Sequence, residues 1–491
     1  MSDPHSILGP GGVCQTCAAL KIACGGELPE CRACLDACRT CAGYICRPQW
    51  PRIKIPKKRF RTVQDHGAKS PPKRTTSRRI PSSPLNSQGT RREQVPGSLS
   101  PFGRCQQENS LLQHYAKNIA TMALALDYEG NIYRSFLPIA MADDALLNAI
   151  LAASSSHLSR LQSTPDHSAR YMKQALTHLD KRLSDPPLAS STATLATILS
   201  LISLEDGRGS STWKHHYEGL SGWLQSTSGV VKLDPFIKSW VYMATYQAAM
   251  VFERRPSNII LEWLDSTERL HDLTQAIDPF LGYSVKLPRL LLRAATLHIE
   301  RLTTDLCEVE LRRRSEELQQ EIATCEIDIA KPLKLASSFR TEGFSTVDLI
   351  SEGRSDLWRR AGATAEIFRH AAHIYVHRIG SPFSHELPPE VEQSVLSIFD
   401  LLDYVPDARG PGSNLSWPLF IVGQETHSTE LRDLLLERWQ SLHLLGMKST
   451  HSTEKVLVEM WKNHDSAKTG SCVAVRWQHM MHQMGIVPML A

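Results

Sequence analysis

Six cysteines near the start of the chain have the residue type and the spacing for metal chemistry. Cys14, Cys17, Cys24, Cys31, Cys34 and Cys41 read C-x2-C-x6-C-x6-C-x2-C-x6-C, so a half-motif is followed at once by its repeat. Each C-x2-C pair puts two thiolates on one local turn, and a third cysteine six residues on can return after a short helix. Three thiolates do not fill the tetrahedral shell that Zn2+ takes with sulfur ligands. If one cysteine of each half bridges two metals, six thiolates serve two zinc ions completely. The competing reading is a disulfide framework, which needs an oxidising compartment and hence a secretory signal. The opening MSDPHSILGPGG has neither a basic n-region nor an apolar h-region, which favours zinc in a reducing compartment. Cys38 and Cys46 fall outside the repeat and are not expected to ligate.

The pattern resembles the binuclear Zn2Cys6 cluster of fungal transcription factors, and Pro29 before the fourth cysteine and Ala42-Gly43-Tyr44 after the sixth extend the match. The resemblance implies that Cys14 and Cys31 bridge, that Cys17 and Cys24 complete one zinc site, and that Cys34 and Cys41 complete the other. It also implies a nuclear protein that binds double-stranded DNA through a helix between the second and third cysteines. Ala18 to Ala23 is a good helix former there. In relatives this helix is rich in Lys and Arg. Here Lys21 is the only base, at the position that in the family reads a CGG triplet. Ala18, Leu20 and Ala23 stand where bases would neutralise phosphate, and each lost contact removes part of the counterion-release term in affinity. Lys21 is left to specify bases, while Arg32 and Arg39 of the second half-motif are placed to meet the backbone.

The elements that must position this module follow from charge and composition. The 491 residues carry a net charge of +4, but residues 1–46 sum to −1, residues 47–92 to +13 and the remainder to −8. A short basic arm therefore joins a nearly neutral metal module to an acidic body. The expected division is an unstructured start over 1–13, the metal module over 14–46, a basic linker over 47–104 and a helical body over 105–491. The linker is rich in Pro and Ser and has almost no periodic apolar pattern, so it cannot bury enough surface to offset the entropy of ordering. Its run Lys57, Lys58, Arg59 and Arg61 suits nuclear import and attraction to the DNA backbone. No sustained heptads occupy residues 50 to 105, so a coiled-coil dimer is not expected from that segment. Homodimerisation, or contact with other regulators, is left to the body.

From about Gln106 onward the apolar pattern is helical. Asp143 and Asp144 start a run with Leu146, Leu147, Ile150, Leu151, Leu158 and Leu161 on one face. Tyr171, Ala175, Leu176, Leu179 and Leu183 repeat the design, ending before Pro186. Leu195, Ile198, Leu199, Leu201 and Ile202 belong to a run so apolar that it is expected at the centre of the body. Further runs cover Trp213 to Ser226, Pro235 to Phe252, Val285 to Cys325, Ser355 to Ile379, Pro389 to Leu402, Pro418 to Met447, Thr453 to His464 and Val473 to Met484. Strand-like alternation is scarce, so the fold is mostly α: a small metal cluster, the linker and a large all-α domain of stacked antiparallel helices. No apolar stretch reaches the roughly 20 residues that span a bilayer, and no membrane partner is expected. The segments 143–161, 168–179, 213–224, 373–379, 456–465 and 475–491 resemble the fungal-specific transcription factor domain found downstream of many such clusters. That resemblance implies a regulatory and interaction body.

Catalytic signatures are missing. The chain has no G-x-S-x-G, no G-x-x-x-x-G-K-[ST], no dinucleotide glycine pattern and no H-E-x-x-H. His370, His373 and His377 share a helix face with Glu366 a turn before them, which could converge on a metal. The same face also carries Ala and Ile, which is the pattern of a packed helix. The chain therefore reads as a regulator, with no enzyme expected.

Overall fold

The computed structural model describes residues 15–24, 32–37, 104–122, 124–127, 131–227, 234–265, 276–329, 334–335, 355–381, 387–467 and 475–490. Of these residues 76% are helical, as the apolar periodicity predicts. Two short helices, α1 (Gln15–Leu20) and α2 (Arg32–Asp36), carry the cysteine-rich segment. The body opens with α3 (Gln106–His114), a π-turn over Tyr115–Ile119 and α4 (Ala120–Met122). Next come α5 (Ile132–Met141), α6 (Asp144–Gln162), α7 (Ser168–Leu183), α8 (Pro186–Ala189) and α9 (Thr192–Gly207). The middle holds α10 (Trp213–Thr227), α11 (Pro235–Phe252), α12 (Asn258–Asp265), α13 (Leu287–Thr303) and α14 (Glu308–Ala323). The last part is α15 (Ser355–Gly380), α16 (Pro389–Leu402), α17 (Ser416–Gln424), α18 (Thr429–His443), α19 (Lys448–Ala467) and α20 (Trp477–Met484). Two-residue strands, Ala276–Ile277 and Lys334–Leu335, pair in parallel.

Local chemistry sets several helix starts. The Asp143 carboxylate accepts the Leu146 N–H at 3.0 Å, which fixes the beginning of α6. It also meets the Arg182 guanidinium of α7, tying the two neighbours together. Asp234 accepts the Phe236 N–H and Pro235 opens α11, where a missing N–H costs nothing. Ser428 does the same for Leu431 and so starts α18. That cap splits the run expected from Pro418 to Met447 into α17 and α18. The run expected from Val285 to Cys325 is likewise two helices, broken at extended Thr304 with no Gly or Pro to announce it.

Burial confirms α9 as the central element. Apart from Thr192 and Ser203 every residue of this helix is buried, because α6 and α10 cover it on different sides. Tyr171, Ala175 and Leu179 form the buried stripe of α7, as their spacing predicts. Leu161, Leu176 and Leu183 do not join the core: they are 44%, 39% and 49% exposed. Leu176 lies one position off its stripe, and the other two sit at helix ends beyond the cover of their neighbours. Trp213, Trp240, Trp417 and Trp439 are fully buried and anchor the core.

Candidate functional site

In the cysteine module, α1 brings Cys17 and α2 brings Cys34 to face each other. Both are buried, and their sulfurs are 3.8 Å apart. That is far beyond the roughly 2.05 Å of a disulfide. Cys24 is half-buried and packs against this pair. Three of the six cysteines thus gather in one place, and their thiols are of the ligand type that zinc takes. Cys14, Cys31 and Cys41 lie outside the described residues, as do Arg39, Lys57, Lys58, Arg59 and Arg61. Among the described residues no group of three or more His, Cys, Asp or Glu side chains is arranged to hold a metal ion.

The helix expected over Ala18 to Ala23 is displaced. It runs from Gln15 to Leu20, and Lys21 closes it in the left-handed region at φ +52°. The Ile22 N–H reaches back to the Cys17 carbonyl at 3.1 Å, the six-to-one bond of a Schellman close. Lys21 is exposed, and the chain turns away immediately after it. Arg32, the first residue of α2, is exposed as well. The local sequence hid this close because a left-handed C-terminus usually announces itself by Gly or Asn.

The histidine face of α15 is used in packing. His370 and His373 both direct Nδ1 to the Ser394 hydroxyl of α16, at 3.1 and 3.0 Å. Glu366 accepts the Ile327 N–H and pairs with Arg369. Burial presses His370 down to about 3, with Arg369 and His373 adding to it.

A partly open cavity of 160 Å³ lies between the helices of the body. Aromatic side chains dominate the lining, among them Tyr133, Trp240, Phe280 and Trp417, and Arg160, Asp206 and Gln247 add polar groups. The final segment forms part of the wall. The Met489 N–H donates to Asp206 and the Leu490 N–H to Gln247, each at 3.2 Å, while Trp213 donates to the Val487 carbonyl at 2.8 Å. Burial raises the Asp206 carboxyl to about 7.

Beside the cavity runs a histidine chain whose tautomers follow from its end groups. The Leu445 carbonyl can only accept, so His157 Nε2 carries its proton and donates at 2.8 Å. His157 Nδ1 is then an acceptor for His114 Nε2–H at 2.8 Å, and Asn118 donates to His114 Nδ1 at 3.1 Å. Charging either ring would oppose two N–H groups. Burial holds His114 down to about 4, with His157 adding to it, and burial lowers His157 too. Below the ordinary histidine value of about 6.5 the unfolded chain therefore binds more protons, and stability is lost as pH falls from there toward 4. His114→Gln is expected to reduce the stability lost between pH 7 and pH 5 by about 1–2 kcal/mol, allowing for partial solvent screening. Urea midpoints of both chains at the two pH values measure this; equal losses would rule out the chain as an acid-labile element.

Residues 110–491 match the family model of the fungal specific transcription factor domain, which spans well over half the chain. The protein belongs to that family. Membership places it among transcription regulators, implies a non-enzymatic role and fits a nuclear protein. No helix among the described residues is long and apolar enough to cross a membrane. No curated protein and no solved structure matches the chain closely enough to establish a relationship.

Proposed function

We propose that the chain is a zinc-dependent, sequence-specific DNA-binding transcription factor of RNA polymerase II genes. The observation that carries this reading is the six-cysteine repeat, with Cys17 and Cys34 buried at 3.8 Å, upstream of a fungal transcription factor domain. Cys14, Cys17, Cys24, Cys31, Cys34 and Cys41 hold two Zn2+ ions, which supply the folding free energy that so small an apolar core cannot. Lys21 stands where α1 ends, so its ammonium can reach the O6 and N7 acceptors of guanine in a CGG-like triplet. On this reading Arg32 and Arg39 contact phosphate. Lys57, Lys58, Arg59 and Arg61 of the basic arm supply the salt-dependent affinity that the apolar α1 surface lacks. The target genes on this reading belong to a metabolic or biosynthetic cluster, as for many relatives.

Lys21→Ala is expected to weaken binding to CGG-containing duplexes by about 1–3 kcal/mol and to relax preference at that triplet, with zinc content unchanged. Equal weakening on every sequence would assign Lys21 to the backbone instead. Leu20 and Ile22, 45% and 42% exposed beside Lys21, favour one second reading: a zinc-stabilised nuclear interaction protein that has lost direct DNA reading. Binding that shows no triplet preference at low salt would select it.

A further inference from the structure

The cavity of 160 Å³ between the helices of the body is partly open and mostly apolar, the kind of concave site in which small molecules bind. Its size is close to that of apolar cavities of about 150 Å³ that accept a single benzene ring. Tyr133, Trp240, Phe280 and Trp417 offer ring faces and edges to such a guest. One of these rings carries unused polarity. Trp417 is 1% exposed and its indole N–H has no hydrogen-bond partner, which is costly in a buried site unless an acceptor arrives. Arg160 and Asp206 both line the cavity with opposite charges, so neither an anion nor a cation finds a one-signed field.

We propose that this cavity is a binding site for a small neutral monocyclic aromatic compound whose carbonyl accepts the Trp417 N–H. The final segment closes it: Met489 and Leu490 line the cavity, and their backbone is held by Asp206 and Gln247. An occupied site therefore also secures the C-terminus of the chain. The site is independent of the DNA-binding reading, since its occupancy is measured without DNA.

The test uses the full chain with benzamide and toluene as probes, their dissociation constants read by saturation-transfer NMR. Both are expected to bind, and Trp417→Phe, which keeps the ring and removes the N–H, is expected to weaken benzamide about three- to tenfold while changing toluene less than twofold. Ala153→Phe, which fills the cavity from α6, is expected to abolish both, with helical circular dichroism as the check on folding. If it fails to fold, the comparison of the two probes on the Trp417 variant still decides. Absence of binding by either probe to the folded parent overturns the site. Toluene without benzamide, or equal weakening of both in Trp417→Phe, overturns the hydrogen-bonded recognition.

Discussion

Cys17→Ser and Cys34→Ser are each expected to strip zinc from the N-terminal module and to abolish sequence-selective DNA binding, a loss of at least about a hundredfold in affinity. The two sulfurs lie 3.8 Å apart in a buried contact, and on the proposed reading each is a terminal ligand of a different zinc ion, so removing either opens one of the two sites. Structural zinc supplies of order 10 kcal/mol to small cysteine-rich modules, and few other contacts here can replace it. The body has its own hydrophobic core, so its thermal transition is expected to stay where it is. Zinc per chain by elemental analysis, beside the thermal transition, checks both halves. Full retention of zinc in both variants would contradict these ligand roles. The same measurement on Cys31→Ser tests bridging, because a bridge serves both ions: its loss should release both, and retention of two zinc ions would refute the role.

Glu425→Ala is expected to cost the body about 3–5 kcal/mol. Glu425 follows the end of α17, is 3% exposed, and receives the Arg378 guanidinium of α15 in a two-pronged pair at 2.7 and 2.6 Å. Truncation takes both carboxylate acceptors from a half-buried guanidinium, and that desolvation, more than the lost attraction, sets the size of the effect. Replacing both partners together, as Arg378→Met with Glu425→Leu, is expected to recover most of it. Urea unfolding of the three variants measures these differences. A cost below about 1 kcal/mol for Glu425→Ala would mean that the pair is solvated and behaves like a surface bridge.

Neither Arg378 nor Glu425 could be singled out beforehand, because partners far apart in the chain meet only through tertiary packing. The same holds for the cavity, whose lining runs from Ile119 to Leu490. What local chemistry controls was readable: the Asp143 cap, the Tyr171 stripe and the apolar run that becomes α9. α5 escaped notice because Pro138 lies inside it and breaks the expected pattern. The division between α17 and α18 escaped because Ser428 was not weighed as a cap. At the N-terminal module the structure brings Cys17, Cys24 and Cys34 of the repeat together, while Cys14, Cys31 and Cys41 lie outside the described residues. The left-handed close at Lys21 was not legible, since Lys rarely occupies that conformation. The consequence is that Lys21 stands at the end of α1 rather than on its side.

The most direct test of the account is selection of binding sites from random duplexes by the purified full chain at low salt, with zinc and after chelation. The account predicts enrichment of CGG-like triplets, abolished by chelation and restored by added zinc. No enrichment with zinc present, or identical enrichment after chelation, would contradict it.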